Sequence, residues 1–290
     1  MKKKSFRTIK HQVDFCVVGG GLAGLCAAVV AARHGCRVAL VQDRPMLGGN
    51  CSSEMRMWVC GAHGQNNRET GILEEICLQN NYRNPTTNFS IWDSVLYDLA
   101  INEPNLELLL NASVNDCSMS EDGAAIQNVR AWQTTTQLWH EITADIFADC
   151  SGDSVLAPLS GALWRQGREA ASEFGEDIAP AEADSRTMGN TCLIQAREMT
   201  YPVPFIPPKW ARKFSGPEDF PHRFSEFSPI ENYWWMELGG MDNTIDDAER
   251  LTYPLLSLAY GFWDYVKNIM PEHEKNANWA LDWVGMLPAK

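Results

Sequence analysis

The sequence lacks the features that would place it in several broad functional classes. Its 24 basic residues are outnumbered by 37 acidic ones, and the net charge of −13 argues against nucleic acid or an anionic membrane surface as its main partner. Its nine cysteines are odd in number and scattered, with no CxxC pair, so neither a zinc site nor a disulfide framework is expected. Unpaired thiols in apolar strands and helices fit a reduced, cytoplasmic location.

Long apolar runs are also missing. Glycines and Arg33 interrupt the first apolar run, and no later run is long enough to cross a bilayer, so we expect no membrane span. The lysines at positions 2–4 resemble the start of a secretion signal, but Arg7, Lys10 and Asp14 interrupt the next segment of the chain, and no signal peptide is predicted.

A nucleotide-binding fingerprint stands near the start of the sequence. A short run of β-branched and aromatic residues, 13–18, ends in the pattern GxGxxG, and an alanine-rich apolar segment follows from Leu22 to about His34. After a turn at Gly35, residues 37–41 form a second strand-like run. The order strand, tight turn, helix, strand predicts a βαβ unit that binds a dinucleotide.

Each glycine of the fingerprint is expected to have its own physical task. Gly19 allows the sharp turn off the strand, Gly21 lets a pyrophosphate approach the backbone, and Gly24 lets the helix pack closely on the strand. The free N–H groups at the start of the helix, around Leu22 and Ala23, then face the phosphates together with the positive end of the helix dipole.

The end of the second strand is where the ribose of a bound dinucleotide is expected. An acidic residue commonly stands there, about 20 residues past the glycines, and the sequence has Gln42 followed by Asp43 and Arg44. Either Gln42 or Asp43 can accept a hydrogen bond from a ribose hydroxyl. Arg44 either pairs with a phosphate or the adenine, or stays an exposed charge that does neither.

A second pair of glycines, Gly48 and Gly49, follows closely. A plain nicotinamide dehydrogenase does not need it, whereas a longer flavin cofactor runs past the first helix and requires a second close backbone approach. With this turn and the segments 58–64, 68–76 and 149–153, the sequence resembles the two-dinucleotide-binding-domain, glutathione-reductase-like flavoproteins, and among them the bacterial FAD-dependent oxidoreductases.

The resemblance implies FAD as the cofactor and locates its flavin end. Near the ribityl chain and the isoalloxazine ring it places Gly48, Gly49, Asn50 and Ser52, and at a later turn it places Ser151 and Gly152 against the cofactor. Cys51 falls where disulfide-using relatives have their first redox cysteine. Their second cysteine lies five residues on, where this chain has Arg56, so we expect Cys51 to line the flavin rather than to form a redox disulfide.

Two residues are candidates for catalysis, Cys51 and His63. His63 is the better candidate for proton transfer, because the unperturbed pKa of histidine lies near neutrality. The alternative is that His63 is a loop residue that satisfies backbone groups. No set of metal ligands is predicted.

The remaining pattern predicts two domains. Helices at 70–80 and 90–100 and an antiparallel β-meander at about 111–145 complete an FAD-binding domain over 1–165. A substrate or cap domain over 166–290 follows, and its aromatic residues either form its core or stack on a sugar-like or cyclic small molecule. These aromatic residues are Trp210, Tyr233, Trp234, Trp235, Phe262, Trp263, Tyr265, Trp279 and Trp283.

The superfamily normally has a third cofactor element, a Gly-Asp turn that opens a helix near the C-terminus. Because the sequence has no counterpart, we expect the chain to be an N-terminal portion with an incomplete second domain.

The predicted fold is therefore α/β: a Rossmann-like parallel sheet with a GxGxxG βαβ unit, an inserted antiparallel β-meander and a partial α+β substrate domain. The predicted function is that of an FAD-dependent oxidoreductase that transfers hydride between a small organic substrate and flavin. Two alternatives stay open, an NAD(P)-dependent dehydrogenase and a non-catalytic, truncated flavin-binding remnant.

Overall fold

A computed structural model of the protein describes residues 6–62, 64–219, 233 and 236–289. The chain divides into two compact units, one of Met1–Ser53 with Trp58–Trp164 and one of Glu54–Met57 with Arg165–Lys290. The short segment 54–57 belongs to the second unit because the Arg56 guanidinium donates to the Gln195 side chain and lies 4.4 Å from the centroid of the Trp283 ring. No helix among the described residues has both the length and the apolar character that crossing a membrane requires.

The helices and strands predicted for the first unit are present, with small differences at their ends. In chain order the elements are β1 (Thr8–Gln12), β2 (Phe15–Val18), α1 (Leu22–Arg33), β3 (Val38–Val41), α2 (Gly71–Arg83), α3 (Phe89–Ile101), β4 (Leu106–Leu109), β5 (Ala112–Met119), β6 (Ile126–Gln133), β7 (Leu138–Thr143), β8 (Ile146–Asp149) and α4 (Leu156–Ser160).

A four-stranded parallel sheet with the order β4-β3-β2-β8 forms the centre of this unit and confirms the predicted fold class. Its central strands, β2 and β3, are apolar on both faces because both faces are covered. On one face Val17 and Leu40 pack against α1, α2 and α3, and on the other Cys16 and Val41 pack against the meander. Every residue of β3 is at most 1% exposed.

A second sheet has the order β1-β7-β6-β5 and contains the predicted antiparallel meander. Strand β1 was not predicted, because its residues TIKHQ include only one large apolar side chain and show no strand pattern. It forms because it pairs in parallel with β7.

Buried histidines link this sheet to β4: His11 Nδ1 lies 3.0 Å from Glu107 Oε2, and His11 Nε2 lies 2.8 Å from His140 Nδ1. Burial, and then the neighbouring His11, lower the pKa of His140.

The second unit has its own core around a long helix. Its described elements are α5 (Ala171–Phe174), β9 (Asn190–Thr191), β10 (Ile194–Glu198), β11 (Glu237–Leu238), α6 (Ala248–Asp264) and β12 (Trp279–Val284). Strand β10 pairs with β12, and β9 pairs with β11, both antiparallel. A π-helical turn, Tyr265–Ile269, continues helix α6.

Most of the aromatic residues singled out in this unit form its core. Phe262, Trp263 and Tyr265 are at most 1% exposed, and the Tyr233 ring stacks on Phe262 with centroids 4.3 Å apart. Trp210 differs, since it is 40% exposed and lies beside Tyr253, which is 60% exposed. Positions 234 and 235 lie outside the described residues.

Candidate nucleotide-binding site

The loops that carry the predicted cofactor contacts lie at one edge of the parallel sheet. The last residues of its four strands are in register, with Val18 paired to both Val41 and Asp149, and Val41 paired to Leu109. The chain leaves three of these strands into the fingerprint turn, the 42–49 loop and the 150–152 turn. In open α/β sheets, ligands bind at this carboxyl edge.

The protein's own packing explains two of the three fingerprint glycines. Gly19 has φ of +103°, and a Cβ atom on it would overlap the Cys150 carbonyl oxygen. A Cβ atom on Gly24 would overlap the carbonyl oxygen of Gly19. Both positions therefore require glycine for the fold itself, as the fingerprint predicts for a tight turn and a closely packed helix.

Gly21 is different, because nothing among the described residues requires it to be glycine. Its φ of −61° and ψ of 176° suit any residue, and no heavy atom of that part of the chain lies within 4 Å of where its Cβ would be. It is the N-cap of α1, whose first turn carries no acidic side chain. Open space in front of the first turn of a helix, at the positive end of the helix dipole, fits an anion such as a pyrophosphate. Leu22 and Ala23 supply N–H groups of this first turn.

The two glycine turns contact each other directly. The Gly48 N–H donates to the Gly20 carbonyl over 2.8 Å, and Gly21 and Gly48 form a parallel bridge. Gly48 has φ of +109°, and a Cβ on Gly49 would lie 3.3 Å from the Gly21 Cα. The structure thus brings together two motifs that the sequence predicts to bind one cofactor.

The predicted ribose-binding residues occupy different environments. Gln42 is 4% exposed, and its amide bonds to the backbone of both neighbouring loops. Asp43 and Arg44 are at the surface, where their side chains are 53% and 41% exposed and Arg44 Nε lies 3.5 Å from Asp43 Oδ2.

The turn after β8 is held by its own polar side chains. Asp149 accepts hydrogen bonds from the N–H and the hydroxyl of Ser151, at 3.1 and 2.6 Å, and from the Leu156 N–H at 2.7 Å. The Ser151 hydroxyl also accepts from the Val155 N–H. Gly152, at φ of +83°, has no heavy atom within 4 Å of a built Cβ, so the open space of this turn lies at Gly152.

Cys51 is buried beneath the second glycine turn. It is 7% exposed, and its thiol donates to the Gly48 carbonyl over 3.0 Å. Burial raises the pKa of the thiol to about 12, although hydrogen bonding from Trp92 acts in the opposite direction. Cys51 is thus a protonated donor that supports the turn at neutral pH. Its neighbour Asn50 is exposed and Ser52 is buried.

The buried Cys51 should react with an alkylating reagent far more slowly than the exposed Cys60. At pH 8 a thiol with a pKa of about 12 has roughly a thousandfold less thiolate than a free cysteine. We expect iodoacetamide to modify Cys60 within minutes while Cys51 stays unmodified, as measured by peptide mass mapping of the folded chain. Equal modification of the two would contradict the buried position, and modification of both in urea serves as the control.

Some of the site was not found from the sequence. Asp93 in α3 accepts from the Ser53 N–H over 3.0 Å and so fixes the end of the second glycine turn, but a single acid in an apolar helix gives no local signal of that role. The Cys150 carbonyl lies directly against Gly19 of the fingerprint turn, a contact between distant parts of the chain that no local pattern reveals.

His63 lies outside the described residues, and those residues contain no cluster of three or more potential metal ligands.

Comparison with known proteins places this geometry in a family context. A family model described as FAD-dependent oxidoreductase matches residues 14–286. The chain is 46% identical over 43 residues to a soluble pyridine nucleotide transhydrogenase of Marinobacter nauticus, which is 15% of this chain and 9% of the relative. It is 50% identical over 43 residues to the glutathione reductase of Schizosaccharomyces pombe, again 15% and 9% of the two chains.

Among solved structures, the chain is similar to the myxobacterial halogenase CndH, described as a variant of FAD-dependent halogenases. The match has a TM-score of 0.42 and 15% identity and covers 67% of this chain and 46% of that one. The chain spans less than half of the length of each of these three relatives.

Proposed function

The chain belongs to the family of FAD-dependent oxidoreductases, and from that premise we propose that its first unit binds FAD and that the whole protein transfers hydride between a small organic substrate and the flavin. The space at Gly21 is the observation that carries the proposal. A glycine that neither backbone conformation nor packing requires is explained when a ligand occupies the place of its side chain.

The other residues of the site suit the parts of this cofactor. The N–H groups at the start of α1 would receive the pyrophosphate, and the turn at Gly48 and Gly49 would let the ribityl chain approach the backbone. Gly152 leaves similar space at the return turn. When bound, FAD supplies the hydride chemistry, and the protein supplies position and electrostatics.

Catalytic roles follow from the sequence and stay proposals. His63 is our candidate for moving a proton to or from the substrate, because a neutral-range pKa suits that task. We assign substrate recognition to the second unit, where the exposed rings of Trp210 and Tyr253 offer the stacking surface that a sugar-like or cyclic substrate would use.

The absorbance spectrum of the purified chain tests the proposal. We expect a visible flavin spectrum, a cofactor released by heat that is identified as FAD, and bleaching of the bound flavin by dithionite. A chain that takes up no added FAD would contradict the proposal. Binding of NADH without flavin would favour a nicotinamide dehydrogenase, and a bound flavin that no donor reduces would favour a non-catalytic remnant.

A further inference from the structure

Gln42 stands where the ribose-binding acid is expected, but its side chain is used inside the protein. Its Oε1 accepts the Gly20 N–H over 2.6 Å, and its Nε2 donates to the Met46 carbonyl over 3.2 Å. The residue is 4% exposed. Both ends of the amide therefore have backbone partners, one in each of the two loops that form the site.

These bonds extend the pairing of β2 and β3 past the ends of the strands. The Gly19 N–H donates to the Val41 carbonyl over 2.8 Å, as in the sheet. The N–H of the next residue, Gly20, donates to the Gln42 side chain. The Gly20 carbonyl in turn accepts a hydrogen bond from the Gly48 N–H. The amide of Gln42 thus joins the fingerprint turn to the 42–48 loop at the point where the two glycine turns meet.

We propose that Gln42 is a positioning residue that locks the two glycine turns together and does not contact the ribose, and that Asp43 accepts the ribose hydroxyl in its place. This inference rests on the proposed binding of FAD. Asp43 is the next residue along the chain, and its carboxylate is 53% exposed at the same sheet edge.

The role requires an amide. A carboxylate at position 42 could still accept from Gly20, but when ionised it has no proton to give to Met46, and its second oxygen would face a carbonyl oxygen. Burying that charge with one oxygen facing a carbonyl is costly, whereas a protonated carboxyl group could donate as the amide does.

The variant Gln42→Glu distinguishes the two roles because they predict opposite changes in FAD affinity. If Gln42 locks the turns, the apoprotein of Gln42→Glu melts several degrees below wild type at pH 8 and binds FAD about tenfold more weakly. Both defects diminish towards pH 5, relative to wild type at the same pH, because the buried carboxyl group becomes protonated. If Gln42 instead holds the ribose, Gln42→Glu melts like wild type and binds FAD more tightly, which would overturn the proposal.

The variant Asp43→Ala, which removes the acceptor, tests the second half. We expect an apoprotein melting temperature equal to that of wild type and FAD binding about tenfold weaker by fluorescence titration, with Glu121→Ala, at an exposed acid in the β5–β6 turn, as the unchanged control. Unaltered FAD affinity in Asp43→Ala would overturn the ribose assignment. A wild-type chain without FAD affinity would overturn the proposed function and that assignment together, while the melting temperature of apo Gln42→Glu at pH 8 and pH 5 would still decide whether position 42 locks the turns.

Discussion

Replacing Gly21 by alanine should strongly weaken FAD binding while leaving the fold intact. The backbone at Gly21 is extended and there is free space around a built Cβ, so the apoprotein has no steric reason to change. A weaker N-cap slightly destabilises the variant, and the lower backbone entropy of alanine in the unfolded chain offsets this by about 0.4–1 kcal/mol. The methyl group would occupy the place proposed for the pyrophosphate, and overpacking of about 1–3 kcal/mol corresponds to roughly 5- to 150-fold weaker binding.

Fluorescence titration of FAD and the melting temperature of the apoprotein measure these two effects separately. Gly24→Ala is the matched control, because its Cβ would overlap the Gly19 carbonyl oxygen and it should lower the melting temperature itself. A Gly21→Ala chain that binds FAD as wild type does would show that the open space serves some other purpose.

The glycines could be predicted from the sequence because their task is set by backbone geometry within a few residues. Gly19, Gly24 and Gly48 adopt conformations or contacts that a side chain would prevent, and the spacing of the motif already implies this. The parallel sheet was predictable for a similar reason, since β3 is apolar at every position and buried at every position.

The orientation of Gln42 could not be predicted in this way. Its side chain is hydrogen-bonded to Gly20 and Met46, which are brought together by tertiary structure. The sequence therefore showed only a polar residue where a ribose is expected and left the partner of that residue open. Strand β1 was missed because its stability comes from pairing with β7 rather than from an apolar pattern of its own.

A buried lysine in the second unit is expected to be among its most sensitive positions. Lys267 is 7% exposed, and its ammonium group donates to the carbonyl oxygens of Asn276, Ala277 and Trp279 at 2.6, 2.9 and 2.7 Å. Burial lowers the pKa of this lysine, so the three carbonyls stabilise a charge that the surroundings disfavour. Through these bonds the π-helical turn after α6 is joined to the segment that leads into β12.

Replacing Lys267 by methionine keeps most of the side-chain volume but removes the ammonium donor from three carbonyl oxygens, of which that of Ala277 also accepts from a second donor, the Val203 N–H. An unsatisfied buried acceptor costs about 1–3 kcal/mol, and with partial rescue by water we expect a loss of about 3 kcal/mol or more in the free energy of unfolding. Urea titration of wild type and the variant measures this difference in the free energy of unfolding. Lys275→Met is the matched control, because Lys275 is an exposed lysine of the same segment, 72% exposed and paired with Glu272, and should change the free energy by less than about 0.5 kcal/mol. Equal stabilities of the two variants would show that the three hydrogen bonds of Lys267 do not stabilise this part of the fold.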